Sequence, residues 1–376
     1  MSETISRSAR RKNDHLALAH AFYQEGAAND FDRLHLLRPT LPETSVLPDV
    51  LQTQFFGVSV EAPFFINAMT GGSQKAAEVN RGLARVAKQQ GIAMALGSAN
   101  IVEREPEALA SFAVAREENP DGALLVNVNP ATSLDTIQLL IEELQPAALQ
   151  IHVNAVQEAV MPEGDRDFHW LGRIMAIRQA VDLPVIVKEV GFGFDEASLE
   201  KLFASGIMTV DVAGSGGTDF VQIENSRRPH HDFEYLRGLG LSTVQSLLNA
   251  GRVLERRALH EEWDDSASAE ETGDERRDLG SSHQDSVTII ASGGVRNPFD
   301  VLKSVALGAR FVGISNGFLQ TWRDHGEEGL NEKIAVWKTQ LAELIALFGT
   351  DSLESAARIP YYLDPELESY LRQTAR

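Results

Sequence analysis

Cysteine does not occur in the 376-residue sequence, which rules out disulfides, thiolate nucleophiles and Cys-ligated zinc or iron–sulfur centres. Basic residues are scarce: 34 Lys and Arg stand against 54 Asp and Glu, giving a formal charge of −20 and an isoelectric point near 4.9. That balance opposes nonspecific binding to nucleic acid or to an anionic membrane, since both need basic patches. An uninterrupted apolar run of about eighteen residues is also missing, so no membrane span is expected. Residues 1–7 lack the apolar core of a signal peptide, and the expectation is a cytoplasmic protein. What remains is ordinary for a globular chain: 43% hydrophobic residues, a mean hydropathy of −0.17 and a mass of 41.2 kDa.

From residue 62 a rhythm sets in. Apolar runs at 62–69, 92–96, 123–127, 148–154, 184–189, 208–212, 287–291 and 311–314 each end in a polar or glycine break, with a helical pattern following. Helices are predicted over 76–90, 133–144, 168–180, 195–205, 241–257 and 298–306, with another opened by Pro106. Such a repeat predicts an α/β fold of the (β/α)8 TIM-barrel class. A doubly wound sheet would place a Gly-x-Gly-x-x-Gly after its first strand, whereas here glycine pairs are spread over several strand ends. The expected organisation is an N-terminal arm (1–60), a barrel (61–330) and a C-terminal helical extension (331–376). Residues 260–285, between the sixth and seventh strands, are almost wholly polar and acidic and read as a solvated, disordered insertion. The basic cluster Arg10-Arg11-Lys12 in the arm is either a solvated tail or a clamp for an anion.

In a barrel the C-terminal strand ends form one rim, and active sites are built there. The oddest of these ends runs from Gln150 through His152 and Asn154 to Gln157 and Glu158, where a buried apolar strand turns polar. It reads either as a capping turn, with Asn154 as helix N-cap, or as a ligand-facing cluster. Lys188 closes a Val-Ile-Val run, where a lone ammonium would be strongly disfavoured. A Schiff-base lysine, a cation facing an anionic cofactor, and a salt bridge to Asp211 or Glu189 are the three options. Ser292-Gly293-Gly294-Val295-Arg296 and Gly313-Ile314-Ser315-Asn316 occupy the usual phosphate site of barrels, with a helix start at Asn297-Pro298. A phosphate at one end and Lys188 at the other point to FMN. Glu158 is a candidate Mg²⁺ ligand, because magnesium is commonly held by one or two carboxylates together with substrate phosphates.

Taken in order, Arg11-Lys12-Asn13-Asp14-His15, Asn67-Ala68-Met69-Thr70-Gly71-Gly72, Leu96-Gly97-Ser98, Gln150 to Asn154 with Gln157-Glu158, Val187-Lys188-Glu189-Val190-Gly191, Asp211 to Gly214 with Gly216-Gly217-Thr218, Ile223-Glu224-Asn225 and Ala291-Ser292-Gly293-Gly294 resemble a known set. The chain is similar to the type 2 isopentenyl-diphosphate isomerases, FMN-dependent barrel enzymes. The resemblance implies interconversion of isopentenyl and dimethylallyl diphosphate by a 1,3-proton shift assisted by reduced FMN, with Mg²⁺ and with NADPH or NADH as flavin reductant. It implies that Ala68, Met69, Thr70, Ser98, Asn127, Lys188 and Thr218 hold the flavin ring and ribityl chain, and that Gly294, Val295, Arg296, Ser315 and Asn316 hold its phosphate. Arg11, Lys12, His15, Ser98 and His152 would meet the substrate diphosphate, with Glu158 on the metal. Gln157 and Glu224 would border the reacting carbons and, with His152, make up the catalytic group. A homotetramer or homo-octamer is also implied. Asn100 and Asn316-Gly317 depart from the family's common residues, and the acidic insertion is long for it. Two other readings are a 2-hydroxyacid oxidase, whose His/Arg pair near the seventh strand is missing from Ala291-Ser292-Gly293-Gly294, and a non-catalytic scaffold.

Overall fold

A computed structural model describes residues 7–272 and 287–375. Eight strands form a closed barrel: β1 (Phe64–Ile66), β2 (Met94–Ser98), β3 (Leu124–Val128), β4 (Ala148–His152), β5 (Val185–Lys188), β6 (Thr209–Asp211), β7 (Thr288–Ser292) and β8 (Phe311–Ile314). Neighbours are parallel all the way round, and the ring closes where Val312 of β8 pairs with Phe64 of β1. Strands β1, β3 and β5 are buried along their whole lengths, as strands covered on both faces must be. The expected (β/α)8 barrel is the fold.

Helix α1 (Arg7–Ala21) belongs to the arm. The barrel then carries α2 (Gln74–Gln90), α3 (Ala110–Glu118), α4 (Leu134–Leu144), α5 (Ala155–Val160), α6 (Leu171–Ala180), α7 (Glu196–Ala204), α8 (Phe220–Ser226), α9 (Thr243–Thr272), α10 (Pro298–Ala306) and α11 (Asn316–Leu347). Their starts are set by short polar side chains: Ser73, Ser133, Asp195 and Asn297 each accept an N–H from the first turn they precede. Helix α9 runs on to Thr272, so the first part of the stretch expected to be disordered has helical backbone; residues 273–285 of it lie outside the described residues.

Two features of the arm were not foreseen. An antiparallel hairpin, Thr53–Phe55 with Val58–Val60, sets the Phe55 ring 4.5 Å from that of Phe311 and 5.2 Å from that of Phe65. Both partners lie at or near strand beginnings, so the hairpin plugs the N-terminal mouth and leaves the opposite rim open. Residues Leu34–Leu36 pair antiparallel with Tyr361–Leu363, fastening the arm to the C-terminal segment. The first apolar run is longer than its strand: pairing ends at Ile66, and residues 67–70 rise as a loop over the rim.

Candidate active site

The open rim surrounds a cavity of about 1050 Å³, at the large end of the ~300–1,000 Å³ usual for small-molecule sites. Its wall includes Arg11, Lys12, His15, Ala68, Met69, Thr70, Ser98, Asn127, His152, Gln157, Glu158, Lys188, Thr218, Gly294, Val295, Arg296, Ser315 and Asn316. Every residue expected at the site therefore borders one space except Glu224. That residue stands directly behind the wall, completely buried and bonded to Gln157.

Lys188 sits at the end of β5, 7% exposed. Its Nζ donates to Glu189 O at 2.8 Å and lies 3.4 Å from Asp211 Oδ2. Asp211 is fully buried and also accepts from Asn67 Nδ2 at 3.0 Å, Ser292 Oγ at 2.5 Å and Ala213 N–H at 3.2 Å. Of the options open in the sequence, the salt bridge to Asp211 is present, and Lys188 also lines the cavity. Thr70 Oγ1 is buried on the same wall with no partner among the described residues. A hydroxyl left so is expected to meet a polar ligand.

At the far end, Gly293 and Gly294 have φ values of 94° and 73°, and a Cβ on Gly293 would stand 2.1 Å from Gly214 O. The glycines let the loop after β7 lie flat on the loop after β6. The N–H groups of Gly293, Gly294 and Val295 have no acceptor among the described residues, and Ser315 places no side-chain cap on the first turn of α11. Two sets of unpaired donors thus border the cavity together, which suits a phosphate group. The expectation for the Arg296 side chain needs correction. Its Nη1 and Nη2 fork onto Asp32 at 2.9 and 2.7 Å, Nε and Nη2 onto Asp300 at 2.8 and 3.2 Å, and Nη1 also reaches Ala27 O at 3.1 Å. All five guanidinium donors are taken, so Arg296 straps the arm to the rim and has no side-chain donor free to face the cavity. Asn316 is similarly engaged, donating from Nδ2 to Ala19 O at 3.0 Å and accepting from Gln320 at 2.7 Å.

The opposite wall is cationic. Helix α1 lays Lys12 Nζ on Ser98 O at 3.2 Å and Arg11 Nη1 3.9 Å from Glu163 Oε1. Burial, with Arg11 beside it, lowers the Lys12 ammonium to about 7. His152 Nδ1 pairs with Asn127 Oδ1 at 2.9 Å. Burial, helped by the nearby Lys12 charge, pushes its imidazole down to about 3, so the ring is neutral at ordinary pH. Ser98 Oγ donates to Asn100 Oδ1 at 2.9 Å, which gives Asn100 a role in orienting that hydroxyl.

Asn154 occupies the N-cap position of α5 but makes no capping bond. Its Nδ2 instead donates to Gln157 Oε1 at 3.2 Å and Glu158 Oε1 at 3.1 Å. Gln157 Nε2 donates to Glu224 Oε1 at 2.9 Å, and His15 Nε2 lies 2.9 Å from the same oxygen. Burial would raise the Glu224 carboxyl, but His15, Gln157 and Arg227 outweigh it and hold the group at about 2. Glu158 Oε2 accepts from Asp165 N–H at 2.7 Å, leaving lone pairs free on a cavity-lining carboxylate. No cluster of three or more His, Asp or Glu side chains suited to a metal occurs among the described residues. A cation here would draw on Glu158 and on oxygens of its own ligand, which fits the way Mg²⁺ is usually held. Sequence reasoning missed Arg227 and Glu163. The Glu224-x-x-Arg227 spacing was visible as a helical i, i+3 pair, whereas nothing local marked Glu163.

A family profile described as FMN-dependent dehydrogenase matches residues 101–359. Isopentenyl-diphosphate delta-isomerase of Latilactobacillus sakei is 39% identical over 363 residues, covering 96% of this chain and 95% of its own. The proteins of the same name from Streptomyces sp. strain CL190 and Kitasatospora griseola are 39% and 40% identical, each covering 96% of this chain and 92% of their own. Among solved structures, a flavocytochrome b2 variant with sulfite bound superposes with a TM-score of 0.65 at 18% identity, covering 96% of this chain and 88% of its own. A mandelate oxidase variant with (S)-mandelic acid gives a TM-score of 0.60 at 16% identity, covering 94% and 97%. At that identity the two structures speak for the barrel alone.

Proposed function

The chain belongs to the FMN-dependent dehydrogenase family and, within it, to the type 2 isopentenyl-diphosphate delta-isomerases, and from that premise we propose how its cavity carries out the isomerisation. The substrate is isopentenyl diphosphate, converted to dimethylallyl diphosphate and back by a 1,3-proton shift. The observation that carries the reading is one cavity with two ends suited to anions: unpaired loop N–H groups at one, Arg11 and Lys12 at the other. One end takes the phosphate of FMN and the other the diphosphate of the substrate, with Glu158 contributing one carboxylate to Mg²⁺.

Reduced FMN, when bound, supplies a centre for giving and taking a proton at the alkene, after reduction by NADPH or NADH. The residues of the chain do the rest. Lys188 and Thr70, which line the cavity with an ammonium and an unpaired hydroxyl, would hold the polar part of the cofactor. Neutral His152, its Nδ1–H given to Asn127 Oδ1, offers Nε2 as an acceptor to a water or a protonated oxygen at the diphosphate, without adding charge to a wall already cationic. Gln157, its amide fixed by Glu224 and Asn154, borders the reacting carbons. Arg11, Lys12 and His15 close the top and keep water away from them. No described helix is long and apolar enough to cross a membrane; from the family resemblance we infer a cytoplasmic homo-oligomer. The test is turnover of isopentenyl diphosphate with FMN, Mg²⁺ and NADPH, omitting one component at a time. Full activity with permanently oxidised flavin sinks the proton-transfer mechanism, and activity indifferent to EDTA sinks the role given to Glu158.

A further inference from the structure

Arg227, just past the end of α8, has no part in the mechanism so far. Its guanidinium forks between two carboxylates: Nη1 donates to Glu224 Oε2 at 2.5 Å and Nη2 to Glu163 Oε1 at 2.6 Å. Glu163 in turn lies 3.9 Å from Arg11 Nη1, and Arg227 Nε lies 3.9 Å from Asp14 Oδ2. One side chain therefore ties Glu224, the loop after α5 and the cationic face of α1 together.

The consequence for Gln157 follows from hydrogen-bond chemistry. An ionised carboxylate only accepts, so Gln157 must turn its NH₂ towards Glu224 and its Oε1 towards Asn154, as observed. Were Glu224 neutral it could donate instead, and the amide could flip. The titratable and charged groups facing Glu224 are His15 from α1 and Arg227 from its own segment, with Asp14, Glu163 and Arg11 beyond them. Arg227 Nε is buried with no acceptor among the described residues, so the fork onto the two carboxylates leaves one guanidinium donor unused.

We infer that Arg227 is a positioning residue of the isomerase reaction, which fixes the Gln157 amide through Glu224 and holds the substrate-facing side of α1 through Glu163. The inference rests on the isomerase reading above. It is tested with Arg227→Gln and Arg227→Lys, measuring kcat per bound flavin, KM for isopentenyl diphosphate, the pH profile of kcat, flavin absorbance and melting temperature. In Arg227→Gln, kcat falls by about 10- to 100-fold, the range a small misplacement of reacting groups produces. Its acid limb moves to higher pH, because the carboxylate loses a cation that favours its charged form. Arg227→Lys keeps the charge but cannot fork onto both carboxylates. It returns the acid limb towards wild type, while kcat stays below wild type and KM rises.

Wild-type kcat per bound flavin and an unmoved acid limb in Arg227→Gln overturn the inference, whatever happens to the melting temperature. If Arg227→Gln does not fold, Arg227→Lys decides alone, and a kcat and KM equal to wild type overturn it. Wild-type protein that never turns over isopentenyl diphosphate sinks the isomerase reading and this inference with it. Variants that match an active wild type sink only this inference.

Discussion

Replacing Lys188 by Met separates two roles that its position combines. The ammonium braces the barrel through Asp211, and the same residue lines the cavity. At 3.4 Å the Coulomb attraction is about 5 kcal/mol for an effective dielectric of about 20, and desolvation of the ammonium cancels most of it. Breaking a buried pair from one side typically costs ~3–5 kcal/mol because a charge is stranded. Asp211 is not wholly stranded, since Asn67, Ser292 and the Ala213 N–H still donate to it. We therefore expect Lys188→Met to destabilise the flavin-free protein by about 2–3 kcal/mol, at or just below the lower end of that range. A hydrogen bond to a charged group is worth about 1.5–3 kcal/mol, so loss of the cation facing FMN should weaken its binding by roughly 10- to 150-fold. Urea unfolding of the flavin-free protein followed by circular dichroism gives the first quantity. Quenching of FMN fluorescence at fixed pH and salt gives the second. A destabilised variant whose FMN affinity stays within about threefold of wild type would show that Lys188 only braces the barrel, refuting the cofactor role.

Other perturbations follow from the same geometry. Gln157→Ala removes the residue placed at the reacting carbons, and kcat should fall by about 100-fold or more with flavin content unchanged, as for loss of a proton-transfer group; unchanged turnover removes that role. Arg296→Met should cost about 2–3 kcal/mol of stability, because it uncovers the buried Asp300 as well as the half-exposed Asp32. Its FMN affinity should change by less than about tenfold, since no guanidinium donor is free for the phosphate; a much larger loss in a folded variant would restore the direct contact. For His152, whose imidazole is held at about 3 against an ordinary 6.5, the unfolded chain binds a proton that the folded protein refuses. Stability should therefore fall as pH drops from about 6.5 towards 3. His152→Gln should flatten that part of the stability–pH curve, and identical curves for the two proteins would contradict the assignment.

How much of this was legible in the sequence depended on whether a signal repeats locally. Each barrel strand is covered on both faces, so it reads as an apolar run, and eight such runs ending in polar or glycine breaks placed the rim before any coordinates. The short helix α8 was not predicted and α5 was foreseen only as one option, the turn that Asn154 would cap, because neither is long enough to show a helical period. Yet they carry Gln157 and Glu224. The start of the acidic stretch reads as disordered on charge alone, but its Ala and Glu residues are good helix formers and continue α9 to Thr272.

The remaining gaps are partnerships across the chain. Arg296 and Asp32 are 264 residues apart and Arg227 and Glu163 are 64 apart, and no pattern in the sequence joins either pair. Arg296 and Lys188 looked alike as cations at strand ends beside a phosphate-bearing cofactor. What separates them is donor supply. Arg296 has its full complement of five donors taken by Asp32, Asp300 and Ala27, while Lys188 Nζ makes one hydrogen bond, to Glu189 O, and the residue lines the cavity. An ammonium carries three donors, so Lys188 has capacity left for a ligand. A residue type at a strand end nominates a role, and the count of donors its neighbours leave free decides whether it can fill that role.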